Sequence, residues 1–324
     1  MSEVQAIPQT LTEAVVYFQN PDNCLNWLVT HRWKNGITCP TCGSADVSFV
    51  PSRRLWQCKT RHPLAQFSIK TGTILEDSPL GLNKWLPAMW MIASDRNGIS
   101  SWELHRALGV TQKTAWFMLH RIRLGMQDNF TGGKLAGEVE VDETFIGGKA
   151  RNMHKDKRAE KIKGRGPEGK AIVAAVLERG GKVRAKVVSK RKKKDLQSLV
   201  RDNVEAGSAV YSDELKSYDG LSDDYAHQAG NHAVTYVVGQ VHTNGMENFW
   251  SLLKRGLHGT YISVEPFHLF RYVDEQAFRF NTRLHLDGEK ITDAERFSIL
   301  CSQIVGKRVM YKQLIGDADP EARA

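Results

Sequence analysis

Cys39-Pro40-Thr41-Cys42-Gly43 places two thiols on one tight glycine turn, a knuckle from which two thiolates can meet a single tetrahedral ion. Cys58 opens a second knuckle and is followed by Lys59-Thr60-Arg61-His62. A two-residue spacer calls for a ligand at 61, where Arg61 stands; His62, one residue on, offers a neutral imidazole. Cys39, Cys42, Cys58 and His62 thus form a candidate structural Zn²⁺ site of the Cys₃His type, its fourth ligand the open one and His31 the alternative to His62. So small a module has no core of its own, so the ion would supply folding free energy. Four protein ligands leave no open position for catalysis. Cys24 and Cys301 read as core thiols.

Three acids sit where a chain can aim a carboxylate into a cleft. Asp142 ends the alternating run Glu138-Val139-Glu140-Val141-Asp142, Asp213 follows Ala209-Val210-Tyr211-Ser212, and Glu247 lies in the first turn of a helix. On that helix Met246, Phe249, Trp250 and Leu253 make an apolar stripe. Glu247, Ser251 and Lys254 lie beside it, with Lys254 two turns on and suited to a phosphate. Mg²⁺ is a hard cation that takes oxygen ligands. Two such ions about 3.5–4 Å apart can activate a water or a 3′-hydroxyl and stabilise the leaving oxygen of a phosphodiester. Without metal, three gathered carboxylates repel. Position alone does not single these acids out, because Glu138, Glu140, Glu143 and Glu214 are acidic neighbours.

The elements that must hold these residues follow from pattern. Residues 83–130 read as helical, with Trp85, Ala88, Met89 and Ile92 at helical spacing. Within them Ser100 and Glu103 form a capping box, Gly109-Val110 a turn, and Thr111 the cap of a second helix carrying Ala115, Met118, Leu119 and Ile122. Helix, short glycine turn and helix, with Gln112, Lys113, Arg121 and Arg123 expected to be exposed, is a helix-turn-helix layout for DNA; an ordinary helical hairpin is the other reading. Thr131-Gly132-Gly133 reads as a linker. Strands are expected from Gly137, with a hairpin of Lys170–Leu177 and Lys182–Val188 turning at Arg179-Gly180-Gly181. Further strands are expected at Ala209–Ser212 and Ala233–Val238, and helices at Lys194–Val204, Asn244–Arg255 and Pro266–Arg283. Residues 149–169 read as a basic loop. That order gives an α/β (α+β) domain.

Charge and length set the class. The chain has 324 residues and a net charge of +9, with 45 Lys+Arg against 36 Asp+Glu. Hydrophobic residues make up 41%, enough for a core, which rules out disorder throughout. The longest apolar run, Ala171–Leu177, falls far short of the roughly 20 residues a membrane span needs. The start is polar and acidic, unlike a secretory signal. Five Cys suit a reducing compartment rather than a disulfide scaffold. The basic excess favours a polyanionic partner. Lys190, Arg191, Lys192, Lys193 and Lys194 concentrate that charge before a helix, where phosphate contacts would be sequence-independent and salt-sensitive. His227 and His232 are expected to be structural, and His242 to approach the cleft.

The strings VEVDETFIGGK, AVYSDELKSY and HTNGMENFWSLLKRGLHGTY resemble the catalytic segments of ISXO2-like insertion-sequence transposases. CPTCG with CKTRHPLAQFSIKTGTI is similar to that group's zinc ribbon. The likeness covers roughly residues 20–285. It implies a ribonuclease-H-like catalytic fold of the DDE type with Asp142, Asp213 and Glu247 as ligands of two Mg²⁺ (or Mn²⁺) ions and Lys254 as the basic residue beyond them. Some relatives place Asn at the third position, so Asn244 or Asn248 is an alternative to Glu247. The chain then divides into a zinc-ribbon region (1–82), a helix-turn-helix region (83–130), the catalytic domain (131–285) and a tail (286–324). The implied function is recognition of terminal inverted repeats, metal-dependent strand cleavage and strand transfer into target DNA. Pairing two ends implies at least a homodimer, with no membrane partner and a cytoplasmic, nucleoid-associated location. The competing readings are a DNA-binding regulator descended from such an enzyme and a nuclease that cuts without joining.

Overall fold

The computed structural model describes residues 7–128, 133–148, 156, 169–213, 215–230, 242–285 and 287–316. The linker at 131–132, most of the basic loop 149–169, Glu214, His232, the strand expected at Ala233–Val238 and the last residues from 317 lie outside them. Two units arise: residues 1–127 with 290–324, and residues 128–289. No helix among the described residues is long and apolar enough to cross a membrane.

The first unit begins with α1 (Leu11–Tyr17), started by a Thr10–Glu13 capping box, and α2 (Pro21–Arg32), capped by Asn20 with Pro at its first position. A three-stranded antiparallel sheet follows: β1 (Val47–Val50), β2 (Leu55–Cys58) and β3 (Gln66–Ser68). Its middle is aromatic. Trp56 pairs with Phe49 on one side and Phe67 on the other, and Trp33 meets its ring edge-on at 5.3 Å. Three helices come next, α3 (Leu82–Ser94), α4 (Ser101–Leu108) and α5 (Gln112–Met126). Trp85, Leu86, Ala88, Met89, Trp90 and Ile92 of α3 are all buried, so this helix is covered on nearly every side. The expected Ser100–Glu103 capping box forms, Gly109 ends α4 at φ +62°, and Thr111 caps α5.

The segment past 286, expected as a tail, instead carries a helix at Asp293–Ser302, begun by a Thr292–Glu295 capping box. It belongs to the first unit. The Phe297 ring, fully buried, lies 5.0 Å from Trp90, 5.4 Å from Trp27 and 5.7 Å from Phe18. Trp27 Nε1 donates to Cys301 Sγ at 3.4 Å, and burial pushes the Cys301 thiol up to about 12. A cavity at Phe297 would meet rings that cannot collapse into it. Phe297→Ala is therefore expected to cost about 3–5 kcal/mol, read as a lowered denaturation midpoint with an unchanged slope.

In the second unit the five strands β4 (Glu138–Ile146), β5 (Ala171–Glu178), β6 (Val183–Val188), β7 (Ala209–Asp213) and β8 (Ala226–Gly230) form one sheet in the order β6-β5-β4-β7-β8. The β4–β5 and β5–β6 pairs are antiparallel; β7 and β8 run parallel to β4 and to each other. Residue alternation sorts the two faces. Val139, Val141, Ala174, Val176 and Val210 pack with Leu196 and Val200 of α6 (Lys193–Asn203). Val173, Ala175 and Leu177 pack on the opposite face with α7 (Asn244–Gly259) and α8 (Leu269–Asn281). The helix expected at Pro266–Arg283 is thus split into a 3₁₀ turn at Pro266–His268 and α8. Strand β8 was not expected: Ala-His-Gln-Ala-Gly lacks β-branched residues, and its order comes from the ladder with β7.

Candidate functional site

In the zinc-knuckle module the backbone sets the thiols. The Gly43 N–H donates to the Cys39 carbonyl at 2.8 Å, with Gly43 at φ +74°, which closes the first turn. Donor atoms of Cys39, Cys42, Cys58 and His62 all lie within 4.8 Å of one another. Cys39 Sγ is 3.5 Å from His62 Nε2, and Cys42 Sγ is 3.6 Å from Cys58 Sγ. Ligands at about 2.3 Å from one tetrahedral ion stand roughly 3.8 Å apart, so the group fits zinc. His62 Nδ1 donates to the Pro63 carbonyl at 2.6 Å, which leaves Nε2 for the ion. Burial opposes ionisation of Cys39, yet the backbone N–H groups of Cys42 and Thr41 and the neighbouring thiols bring it down to about 6. His31, the alternative ligand, stacks on Trp27 at 4.5 Å and bonds its own helix, outside the group.

On the second unit's sheet, Glu138, Glu140 and Asp142 alternate with Val139 and Val141, so the acids share the face that α7 covers. The parallel β4–β7 register pairs Val139 with Val210 and Glu140 with Tyr211. That pairing ends there, while β4 runs on to Ile146, so Asp142, expected at a strand end, lies in the middle of its strand. Asp213 ends β7, close enough for its charge to act on Asp142. Trp250 Nε1 of α7 donates to Asp142 Oδ2 at 2.9 Å. Asp142 is raised to about 7, chiefly by burial, with the Glu143 and Asp213 charges adding to it and the Trp250 bond opposing. A buried carboxylate under the charge of a second one, Asp213, is short of positive charge, which suits a hard divalent cation. Asp213 is half-buried and accepts the Leu215 N–H at 3.1 Å. Glu247 is exposed in the first turn of α7, with Lys254 half-buried two turns on. Among the described residues the three acids do not form a group as close as the zinc ligands.

Residues that pattern reading passed over hold this face together. Glu140, 1% exposed, accepts the Met246 N–H at 2.9 Å and Arg179 Nε at 3.0 Å. The signal was present in the sequence: three acids in alternation with valines on one strand face. On the other face Glu143 accepts Tyr218 Oη at 2.9 Å and pairs with Arg191 at 3.1 Å. His227 bonds Ser212 Oγ at 2.8 Å, and His242 sits against Arg179 and Glu140.

The expected DNA contacts divide. Lys190, Arg191, Lys192, Lys193 and Lys194 are exposed, though Arg191 is tethered by Glu143. Lys113 is exposed, its ammonium 4.6 Å from the Tyr311 ring. Gln112 is half-buried and donates to Ser101 Oγ at 2.8 Å, linking α5 to α4. Arg121 is a correction. It is 4% exposed, donates to the Glu76 carbonyl and lies over Trp85 and Phe117. Arg123, 1% exposed, is buried as well. Spacing along α5 predicts a solvated position for both, but that helix is covered on more than its apolar stripe.

A zinc-knuckle module and a mixed sheet bearing acids on adjacent parallel strands define a class, and comparison with known proteins identifies it. Residues 134–281 match the ISXO2-like transposase domain, and residues 19–60 match the transposase zinc-ribbon domain. The chain belongs to the ISXO2-like transposase family. It is 29% identical over 257 residues to an uncharacterized protein in transposable element ISH50 of Halobacterium salinarum, covering 74% of this chain and 84% of that one. It is 32% identical over 101 residues to an uncharacterized transposase-like protein of Haemophilus influenzae, covering 31% of this chain and 81% of that one. A solved simian T-cell lymphotropic virus intasome, in complex with PP2A regulatory subunit B56 gamma, matches 62% of this chain and 70% of its own at 12% identity and TM-score 0.28, too distant to carry an argument.

Proposed function

We propose that the protein is the transposase of a bacterial insertion sequence: it binds the element's terminal inverted repeats, cleaves DNA at each end and joins the 3′ ends to target DNA. The observation that carries this is the bonding of α7, which bears Glu247, to the acids of β4: Trp250 Nε1 donates to Asp142 in the middle of that strand, the Met246 N–H donates to Glu140, and the charge of Asp213, at the end of the adjacent parallel strand β7, acts on Asp142. The sheet order, with three antiparallel strands followed by two parallel ones, supports the ribonuclease-H-like reading. Asp142, Asp213 and Glu247 would hold Mg²⁺ or Mn²⁺. Bound there, two ions would supply an activated oxygen nucleophile and charge stabilisation at the phosphodiester. Lys254 would orient a phosphate of the substrate, and the exposed Lys190–Lys194 run would hold target backbone. The zinc ribbon and the α4–α5 pair would recognise the ends, two of which require at least a dimer.

A supercoiled plasmid carrying the ends, incubated with protein and Mg²⁺, tests this. Joined products are the expected result. Nicks without joining would make the protein a nuclease, and binding without nicks a regulator. Lys113 is the exposed cation in the first turn of α5, where base or phosphate contacts would fall. Lys113→Ala is expected to weaken end binding by about 1 kcal/mol and to flatten its salt dependence by about one unit, read by titration at several salt concentrations.

A further inference from the structure

We propose that Glu140 and Arg179 form a positioning pair that fixes the first turn of α7, and with it Glu247, relative to the acids of the sheet; this rests on the metal site proposed above. An α-helix leaves its first N–H groups without partners inside the helix. In α7 one of them, on Met246, is satisfied by Glu140 Oε2 at 2.9 Å, a carboxylate from the neighbouring strand rather than a local cap. The Thr243 side chain makes no cap bond at this helix. Glu140 is 1% exposed, so its charge is compensated inside the protein. Arg179 does so from the β5–β6 turn: Nε donates to Glu140 Oε1 at 3.0 Å, Nη2 donates to the His242 carbonyl at 2.8 Å, and the guanidinium lies 4.3 Å from the Tyr211 ring centroid. Tyr211 Oη in turn donates to Glu138 at 3.1 Å.

The fit at this joint is tight. A Cβ at Gly245 would stand 2.8 Å from Glu140 Oε2 and 2.9 Å from Leu177 Cδ2, so any larger residue there would have to displace the Glu140 carboxylate or the Leu177 methyl. Trp250, bonded to Asp142, holds the same helix one turn further on. Glu247 lies between these two attachments in the chain. Its helix therefore cannot rotate or slide without breaking one of them. Glu140 and Arg179 need touch neither ion nor DNA. They act through Glu247.

The test uses the full-length, zinc-loaded protein, with Mn²⁺ alone as the probe. Titration calorimetry gives Mn²⁺ affinity, and hydrogen exchange reports on the Met246–Trp250 amides. Glu140→Gln keeps an acceptor and the volume but loses the charge that Arg179 needs. Arg179→Lys keeps charge but loses the planar fork, and serves if Glu140→Gln fails to fold. Each is expected to speed exchange at those amides and to weaken Mn²⁺ binding about tenfold, the range typical of outer-shell changes. In a Glu247→Ala background the same substitution is expected to add nothing to the loss of Mn²⁺ affinity. Unchanged exchange, unchanged affinity, or an equal loss in both backgrounds overturns the pair's role. If Asp142→Ala and Glu247→Ala also bind Mn²⁺ as the parent does, the metal site itself is wrong, a result distinguishable from loss in those two with none in Glu140→Gln.

Discussion

Asp142→Ala is expected to lower DNA strand cleavage on the order of a thousandfold or more, roughly 4 kcal/mol of barrier, while end binding changes little. The expectation comes from where the residue sits. It lies in the middle of β4 within reach of the Asp213 charge, is shielded from water and receives an indole hydrogen bond. Among the described residues, the charges that act most on it are those of Glu143 and Asp213, both negative. In the metal-free protein this carboxylate is a liability, because burial of an ion without a counter-charge is costly. Asp142→Asn should therefore match or exceed the parent in thermal stability at pH 8 without metal, and still fail to cleave. A structural acid behaves in the opposite way: its loss lowers stability, and activity falls only with the folded fraction. Cleavage rates and melting curves on the same preparations separate the two. An Asn variant that melts lower and cuts at the parent rate would sink the assignment.

How far the sequence revealed this arrangement depended on the range of the interactions involved. The Ser100–Glu103 box, the Gly109 turn and the zinc ligands were legible because each is settled within a few residues. The helices and the β5–β6 hairpin came from periodicity, which reports one buried face. Periodicity is silent where a second side is buried too. Arg121 carries a charge and stands next to the apolar stripe of α5, yet its guanidinium is taken up by the Glu76 carbonyl and the Trp85 ring of α3, with Phe117 of its own helix beside it. Nothing within α5 indicates the Glu76 and Trp85 contacts. Glu140 is the same case in a strand: alternation put it opposite the valines, but only the distant α7 makes that face an interior one. The strand Ala226–Gly230 and the helix Asp293–Ser302 are likewise decided by what they pack against.

The second large effect is expected at the zinc group. The three-stranded sheet that follows the first knuckle has only short strands and an aromatic centre of Trp56, Phe67 and Trp33. Cys58 both ends β2 and supplies a ligand, and the Cys58 N–H donates to the Ala65 carbonyl at 2.8 Å, so the second knuckle and the sheet are one structure. Structural zinc in such small modules contributes an apparent 10–16 kcal/mol or so at pH 7, more than a sheet of this size can replace. A strong chelator is therefore expected to expose Trp33 and Trp56, shifting their emission to longer wavelength, and to remove specific end binding. The transition of the 128–289 unit should survive, because its core of Val139, Val141, Val176 and Val210 owes nothing to these ligands. Cys58→Ser should reproduce the loss at saturating Zn²⁺. His62→Ala, which leaves three thiolates, should weaken zinc binding about 10–100-fold and recover part of the fold in excess metal. If the chelated protein kept its tryptophan emission and still selected its own ends, the four residues would be neighbours without an ion, and the ribbon would need another source of stability.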